Sequence, residues 1–277
     1  MKKLSFVFST LFLAVLLATT NTYAQYGEPQ IRDTEPPRNL YDEGYKTGFG
    51  FSLNLNDFGF GAGGQFRKGL GPYTEGLVNL KIAGLRDPSE QLYVDVIFGN
   101  RTIPSKYRRV TTFPLTVGIK RRVFPNQITD NFRVHTSINF GPVLTLTSPY
   151  FEDYNNNGYR DINVNQDGIC EPRCEPVRDI FQSFSDIETE LGWNGEILLG
   201  IDFGDNFAKL QSFQFGYNFY YYGNGIQILE PFQPLRDGNG DLVPAENIAD
   251  GWELEPANDA VKFLGSAQIT FVFGWMW

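Results

Sequence analysis

The stretch richest in chemistry is Asp153-Tyr154-Asn155-Asn156-Asn157-Gly158-Tyr159-Arg160-Asp161, followed closely by Asn163-Val164-Asn165-Gln166-Asp167-Gly168. Side-chain oxygens at alternate positions before a Gly turn let a chain curl carboxylates, amides and a carbonyl around one point, which is what a hard cation such as Ca2+ requires. The candidate ligands are the side chains of Asp153, Asn155, Asn157 and Asp161 with the carbonyl of Tyr159, and beyond them Asn163, Asn165 and Asp167. A bidentate Glu at loop position twelve is missing, because Val164 falls there when Asp153 is first. Weak affinity follows. A shorter echo, Asp237, Asn239 and Asp241 with Glu246 beyond, lacks Gly at its sixth position. The competing reading of both segments is ordinary turn chemistry, since Asn, Asp and Gly build exposed turns without any metal.

Two further groups are reactive by type. Cys170 and Cys174, the two cysteines, stand four positions apart with Pro172 between them. Without a nearby His they make a poor zinc site, and in an exported chain they favour one local disulfide over free thiols. His135 is the single histidine, and in a strand His135-Thr136-Ser137 places base and hydroxyl on one face, where the base could activate a nucleophile. The strand parity turns that face inward, so a hydrogen-bonded interior histidine is preferred. Gly61-Ala62-Gly63-Gly64 is read as close strand packing, since no helix follows to make a phosphate loop.

The elements that hold these residues are written most plainly at the C-terminus. From Val261 to Trp277, Phe263, Ile269, Phe271, Phe273, Trp275 and Trp277 occupy one parity, while Lys262, Ser266, Gln268 and Thr270 fall on the other. Side chains of a strand alternate faces, so this is a strand with one greasy side. A soluble fold would have to bury those rings under earlier elements; a bilayer buries them at once. The pattern suits an all-β, transmembrane, antiparallel up-and-down β-barrel, apolar toward lipid and polar toward the lumen.

Alternating segments separated by turn residues predict eight strands: 58–67, 73–84, 91–98, 108–123, 132–146, 189–203, 210–222 and 261–277. Phe49, Phe51, Leu53 and Leu55 also alternate, and Asn56-Asp57 shifts the parity before Phe58; the preferred reading is a bulged extension of the first strand. A tight hairpin is the rival, and would give ten strands. An even count puts both ends on one side, the periplasmic one, with long outer loops at 147–188 and 223–260 and short inner links at 85–90, 124–131 and 204–209. Phe113, Leu115, Val117, Ile119, Val134, Ile138, Phe140, Trp193, Ile197, Leu199, Ile201, Phe213, Phe215 and Phe219 then face lipid. Opposite them lie Asn79, Lys81, Thr116, Lys120, Arg133, His135, Ser137, Asn139, Asn194, Glu196, Ser212, Gln214, Asn218, Lys262 and Gln268. Eight strands leave an interior that side chains can fill, so Glu196 is expected to pair with Lys81 or Arg133 in a plugged core. Tyr220, Tyr221, Tyr222 and Trp193 are read as an outer aromatic girdle, with Phe151 and Trp252 available for contacts in the loops.

The N-terminus agrees with export. Lys2 and Lys3, the apolar stretch 4–17 and Thr22-Tyr23-Ala24 before Gln25 read as a signal peptide over 1–24. No Cys follows the cleavage site, so no lipid anchor is expected. Residues 25–42, with Pro29, Pro36 and Pro37, read as a flexible periplasmic lead, and 43–277 as the barrel domain. The formal charge is −9, becoming −11 when Lys2 and Lys3 leave with the signal. Nucleic acid is an improbable partner for so acidic a chain. The 25 Phe, 14 Tyr and 29 Gly beside 2 Met favour strands and turns.

Phe271, Phe273, Trp275 and Trp277 resemble the C-terminal assembly signal of bacterial outer-membrane proteins, with Trp in the last place more often held by Phe. Over 45–277 the chain resembles the small eight-stranded outer-membrane barrels called OmpA-like, OmpX-like and OmpW-like, through architecture and terminal signal. That resemblance implies an outer-membrane location, outer-membrane lipid and the barrel-assembly machinery as partners, and a non-enzymatic structural or surface-interaction role with an extracellular partner left open. A narrow conduit for small hydrophobic molecules is the runner-up. Wall anchoring is not expected, since no peptidoglycan-binding segment follows Trp277. The Asp153 loop is similar to the calcium loops of EF-hands, dockerins and thrombospondin type 3 repeats. His135-Thr136-Ser137 resembles the His-x-Ser spacing of an outer-membrane lipid A deacylase, which implies a third reading, a lipid-modifying hydrolase, and requires both side chains on the lipid face.

Overall fold

The structure, a computed structural model, describes residues 37–90, 92–94, 101–128, 130–161, 175–204, 206–245 and 252–277. The expected signal peptide, most of the lead, Asn163, Asn165, Asp167, Glu246 and both cysteines lie outside the described residues.

Eight long strands close into a barrel: β1 (Thr47–Asn56), β2 (Gly59–Gly71), β3 (Thr74–Leu85), β6 (Arg108–Arg122), β7 (Phe132–Pro149), β8 (Glu188–Phe203), β9 (Lys209–Ile226) and β12 (Val261–Met276). Each pairs antiparallel with its neighbour in this series, and β1 pairs with β12 from Gly48↔Met276 to Asn56↔Gln268, so no edge is left open. Both chain ends of the barrel therefore emerge at one end. That end carries the Pro72-Tyr73 turn and the short 123–131 and 204–208 links, while the described residues of 86–107, 150–187 and 227–260 follow strands that end at the other, where the Asp57-Phe58 turn also lies. The remaining elements belong to these long segments: β4 (Tyr93–Val94) with β5 (Arg101–Thr102), β10 (Phe232–Pro234) with β11 (Leu254–Pro256), and the one-turn helix α1 (Ile180–Ser183) followed by a 3-10 turn (Phe184–Asp186). Asp179 caps α1 by accepting from the Phe181 amide, with Gln182 accepting in return from the Asp179 amide. Among the described residues no helix is long and apolar enough to cross a membrane.

The strand count agrees with the sequence but its membership does not. Residues 49–55 are not an extension of the first strand. They form a strand of their own, joined to β2 by a two-residue turn at Asp57-Phe58. Gly59 follows the turn at φ +134, its amide bonded to Asn56 Oδ1 at 3.1 Å, and Phe58 tucks into the lumen against Tyr220. Conversely, the 91–98 segment is no barrel strand: its described residues supply only the two-residue ribbon of β4, and β6 pairs directly with β3 from Thr74↔Arg121 to Leu85↔Val110. One strand is gained and one lost, which keeps the count at eight and excludes ten. It also moves the 85–90 link to the long-loop end.

Period-two patterning holds throughout. Leu115, Val117, Ile119, Ile138, Phe140, Trp193, Ile197, Leu199, Phe215, Phe273 and Trp275 are exposed on the outside, and the expected inward polar residues are buried. Lys262 is the exception, exposed where a bulge between Val261 and Phe263 breaks the alternation. Three successive tyrosines cannot share a face, so only Tyr221 joins the outer aromatics while Tyr220 and Tyr222 point inward. The glycines of β2 serve close approach as expected: a Cβ on Gly63 would stand 2.5 Å from the Leu80 carbonyl oxygen.

Candidate functional site

The lumen is tiered, each level made by inward residues of several strands. At the short-turn end, fully buried Arg67 lies 3.6 Å from Glu75 and 3.9 Å from Asp202, while Lys120 meets Glu75 at 3.2 Å and also pairs with Asp202. The 37–46 segment lies over this end. Arg122 donates to the Arg38 carbonyl at 2.9 Å and to Asp130 at 2.8 Å, and the guanidinium groups of Arg38 and Arg133 stand over the Phe207 ring at 5.0 and 4.4 Å.

In the middle tier Glu196 pairs with Lys81, as expected, and also accepts from Gln268 Nε2 at 3.1 Å and Asn139 Nδ2 at 3.3 Å. Arg133 is not its partner. That guanidinium instead donates to the carbonyls of Asp130 at 2.5 Å and Gly204 at 2.6 Å. Amide chains continue the network: Gln65 donates to Asn79 at 2.8 Å, Asn79 to Asn139 and Thr116 at 3.2 Å, and Asn194 to Asn218 at 2.6 Å. The upper tier is apolar, a cluster built on Phe58, Leu85, Val110, Val143, Tyr222 and Leu264. Such a lumen is a packed core, charged below and greasy above.

His135 and Ser137 both point into this core and are buried. His135 Nδ1 lies 3.6 Å from Asp202 Oδ1, and its Nε2 lies 3.4 Å from the Gln214 side-chain nitrogen. The outer face of the barrel carries neither group.

The loop layer holds the remaining chemistry. Asp153 turns both carboxylate oxygens back into its own loop, accepting from the amides of Asn157 at 3.0 Å and Gly158 at 2.9 Å. Asn155 Oδ1 accepts from the Asn157 amide at 3.1 Å and Asn157 Oδ1 from the Tyr159 amide at 2.8 Å, with Gly158 at φ +73 allowing the curl. Asp161 closes the loop, 3.5 Å from Asn155 Nδ2. Asp153, Asn155, Asn157, Tyr159 and Asp161 are thus brought together.

Two carboxylates missed by the sequence reading complete this layer. Glu175 accepts from the amides of Tyr154 and Asp161, both at 3.0 Å, while its own amide donates to the Asp161 carbonyl at 3.1 Å. Glu230 comes from the 227–260 segment and accepts from the Arg160 main chain. Burial raises the carboxyls of Asp161 and Glu175 above the usual range, with the charge of Asp153 adding to it, and pushes Glu230 up to about 7. No spacing rule announces either glutamate. Among the described residues no group of three or more His, Cys, Asp or Glu is arranged to hold a metal ion.

The second candidate loop is different. Asp237 Oδ1 accepts from the amides of Asn239 at 2.8 Å and Asp241 at 2.9 Å, in an exposed turn closed by the Arg236↔Leu242 bridge. Those amide donors hold its carboxyl below the usual range. Asp237, Asn239 and Asp241 are together, as a self-bonded turn. Phe151, expected as a contact residue, is buried against Tyr107 at 5.9 Å. No protein-family model and no curated protein matches this chain.

Proposed function

We propose that this chain is an integral outer-membrane β-barrel, non-enzymatic, whose closed and filled body holds a structured loop layer at the cell surface for a structural or interaction role. One observation carries the reading: all eight strands turn large apolar side chains outward and polar or charged ones inward. So continuous a belt of exposed aliphatic and aromatic side chains would be a severe aggregation hazard in water, and is the ordinary exterior of a barrel in lipid. The orientation follows from loop length, with the short-turn end and both termini periplasmic and the three long segments outside. β12 offers the terminal aromatics to the assembly machinery. A conduit would require displacing the Lys81–Glu196 network and the apolar cluster above it, and hydrolysis would require His135 and Ser137 outside the core.

The test is fractionation of expressing cells joined to a heat-modifiability gel. The full chain should sediment with outer membranes and migrate differently before and after boiling. A soluble periplasmic product with no such shift would sink the reading.

A second component concerns the Asp153 loop. The inward turn of Asp153, Asn155 and Asn157 favours a weak Ca2+ site there, with Asp161 and the Tyr159 carbonyl completing the donors. Calcium would neutralise carboxylates that the fold crowds together and partly buries. The Asp237 turn gives no comparable support, because Asp237, Asn239 and Asp241 are all exposed and, among the described residues, no buried acid packs beside them as Glu175 does beside Asp161.

A further inference from the structure

On the outward parity of the eight barrel strands the charged side chains are Lys68, Arg109, Arg121 and Lys209, and none is acidic. Three of them, Lys68, Arg121 and Lys209, stand near the short-turn end, beside aromatics such as Phe132, Phe203 and Trp275. In a chain of net charge −9 this basic outer rim runs against the composition. Arg121 is exposed and takes part in none of the ion pairs among the described residues.

Directly beside Arg121 the exterior is not smooth. A groove of about 620 Å³ runs between β6 and β7, lined by Val117, Ile119, Arg121, Thr136, Ile138 and Phe140. It exists because Thr136 is short. Its outward neighbours along β7 are Val134 and Ile138, and across the ladder it faces Arg121, the next outward pair below Ile119↔Ile138. The Thr136 hydroxyl donates to the Leu198 carbonyl at 3.3 Å, so the dip offers no free polar group to an apolar occupant. The result is an apolar trough with a single unpaired guanidinium at its lower end.

We propose that this trough is a binding site for an anionic phospholipid of the periplasmic leaflet, one acyl chain lying along Ile119, Ile138 and Phe140 and the phosphate on Arg121. A guanidinium presents paired donors that match phosphate oxygens, and a long Arg side chain reaches the headgroup level while its stem stays against apolar surface. The acidic loops lie at the opposite end, so the charge complementarity exists at this rim and not the other. The inference rests on the membrane reading above.

Native mass spectrometry of the folded, detergent-released barrel titrated with phosphatidylglycerol tests it, with phosphatidylcholine as the zwitterionic comparison. The unsubstituted chain should retain one phosphatidylglycerol in preference to phosphatidylcholine. Arg121→Gln should weaken retention roughly fivefold, the factor that about 1 kcal/mol of lost attraction represents, and Thr136→Leu, which fills the trough from outside the core, should abolish the one-lipid species. Lys68→Gln, on another strand pair, should leave it unchanged. Each variant is first shown to be a heat-modifiable barrel inserted in vesicles. Failure of the full chain to insert overturns the membrane reading and this site with it. Insertion with equal lipid retention in all variants, or equal retention of both lipids, overturns the site alone. A dimer that Thr136→Leu dissociates would put a second copy in the trough and also overturn it.

Discussion

Glu196→Ala and Lys81→Ala should each destabilise the folded barrel by about 3–5 kcal/mol, the range for stranding one member of a buried ion pair. The structure argues for that full range. Glu196 and Lys81 side chains are 1% and 8% exposed, so solvent does little to screen them. Removing the carboxylate deprives Lys81 of its counter-ion and leaves the amides of Asn139 and Gln268 without their acceptor, while the lumen acids Glu75 and Asp202 are engaged with Lys120 and Arg67. The assay is equilibrium unfolding from lipid vesicles in denaturant, read as a double-mutant cycle. Lys81→Ala with Glu196→Ala should couple by about 2 kcal/mol or more, whereas Arg133→Ala with Glu196→Ala should add within roughly 0.5 kcal/mol, because that guanidinium bonds carbonyls elsewhere. Lys81→Met with Glu196→Gln should recover much of the loss, since Gln keeps an oxygen for the two amides and Met keeps the apolar stem. Single variants that unfold like the parent chain, or an Arg133 coupling as large as that of Lys81, would refute the reasoning.

Deleting Trp275–Trp277 removes the bonds from the Lys46 and Thr47 amides to the Trp277 carbonyl, at 3.1 and 3.0 Å, along with the terminal aromatics, and should leave the chain degraded or periplasmic by fractionation; normal outer-membrane yield would count against the assembly role of β12. Between pH 4.5 and about 7 the folded loop layer holds a proton on Glu230 that the unfolded segment releases, so its stability falls as pH rises through that window, by about 3 kcal/mol at most. Protection factors of the 150–161 and 227–245 amides, corrected for the intrinsic pH dependence of exchange, should therefore be higher at pH 5 than at pH 8, Glu230→Gln should flatten the dependence, and protection that grows with pH would show the sign to be wrong. Calcium at roughly 10⁻⁴ to 10⁻³ M should protect the Asp153 loop from proteolysis, magnesium should not, and Asp153→Ala with Asp161→Ala should remove the effect; cleavage that is the same in calcium and in chelator would return the segment to turn chemistry.

The faces of the barrel were legible because a strand has period two and each position must choose between the outside and the lumen. Leu115, Val117 and Ile119 alternate with Thr116 and Lys120, and the structure keeps every one on its assigned side. Membership of the sheet was not legible in the same way. A bulge and a two-residue hairpin both shift parity by one at Asn56-Asp57, and 91–98 alternates as well as a true strand does. What separates these cases is non-local: β3 finds β6 as its partner from Thr74 to Leu85, interrupted only at Lys81-Ile82, which leaves no seat between them. Lumen pairing stood between these extremes. Lys81 and Arg133 are equally inward by parity, and only three-dimensional height in the barrel gives Glu196 to the first and main-chain carbonyls to the second.

The loop layer resisted for a related reason. Asp153, Asn155 and Asn157 meet through bonds that span two to five residues, so their spacing could be read directly. Glu175 reaches Asp161 across fourteen residues and Glu230 reaches Arg160 from a different segment, and neither distance follows any period. Yet these two acids decide what the loop can do. Burial makes their charge costly, and the cost is met either by a proton or by a cation nearby. A proton on Glu230 therefore stabilises the layer at low pH, and the calcium proposed for Asp153 and Asp161 would stabilise it once those neighbouring carboxylates are ionised. On the proposed function, order in the loop layer would follow the ionic composition of the medium it faces, while the barrel beneath, whose charges are already paired in the lumen, would not respond.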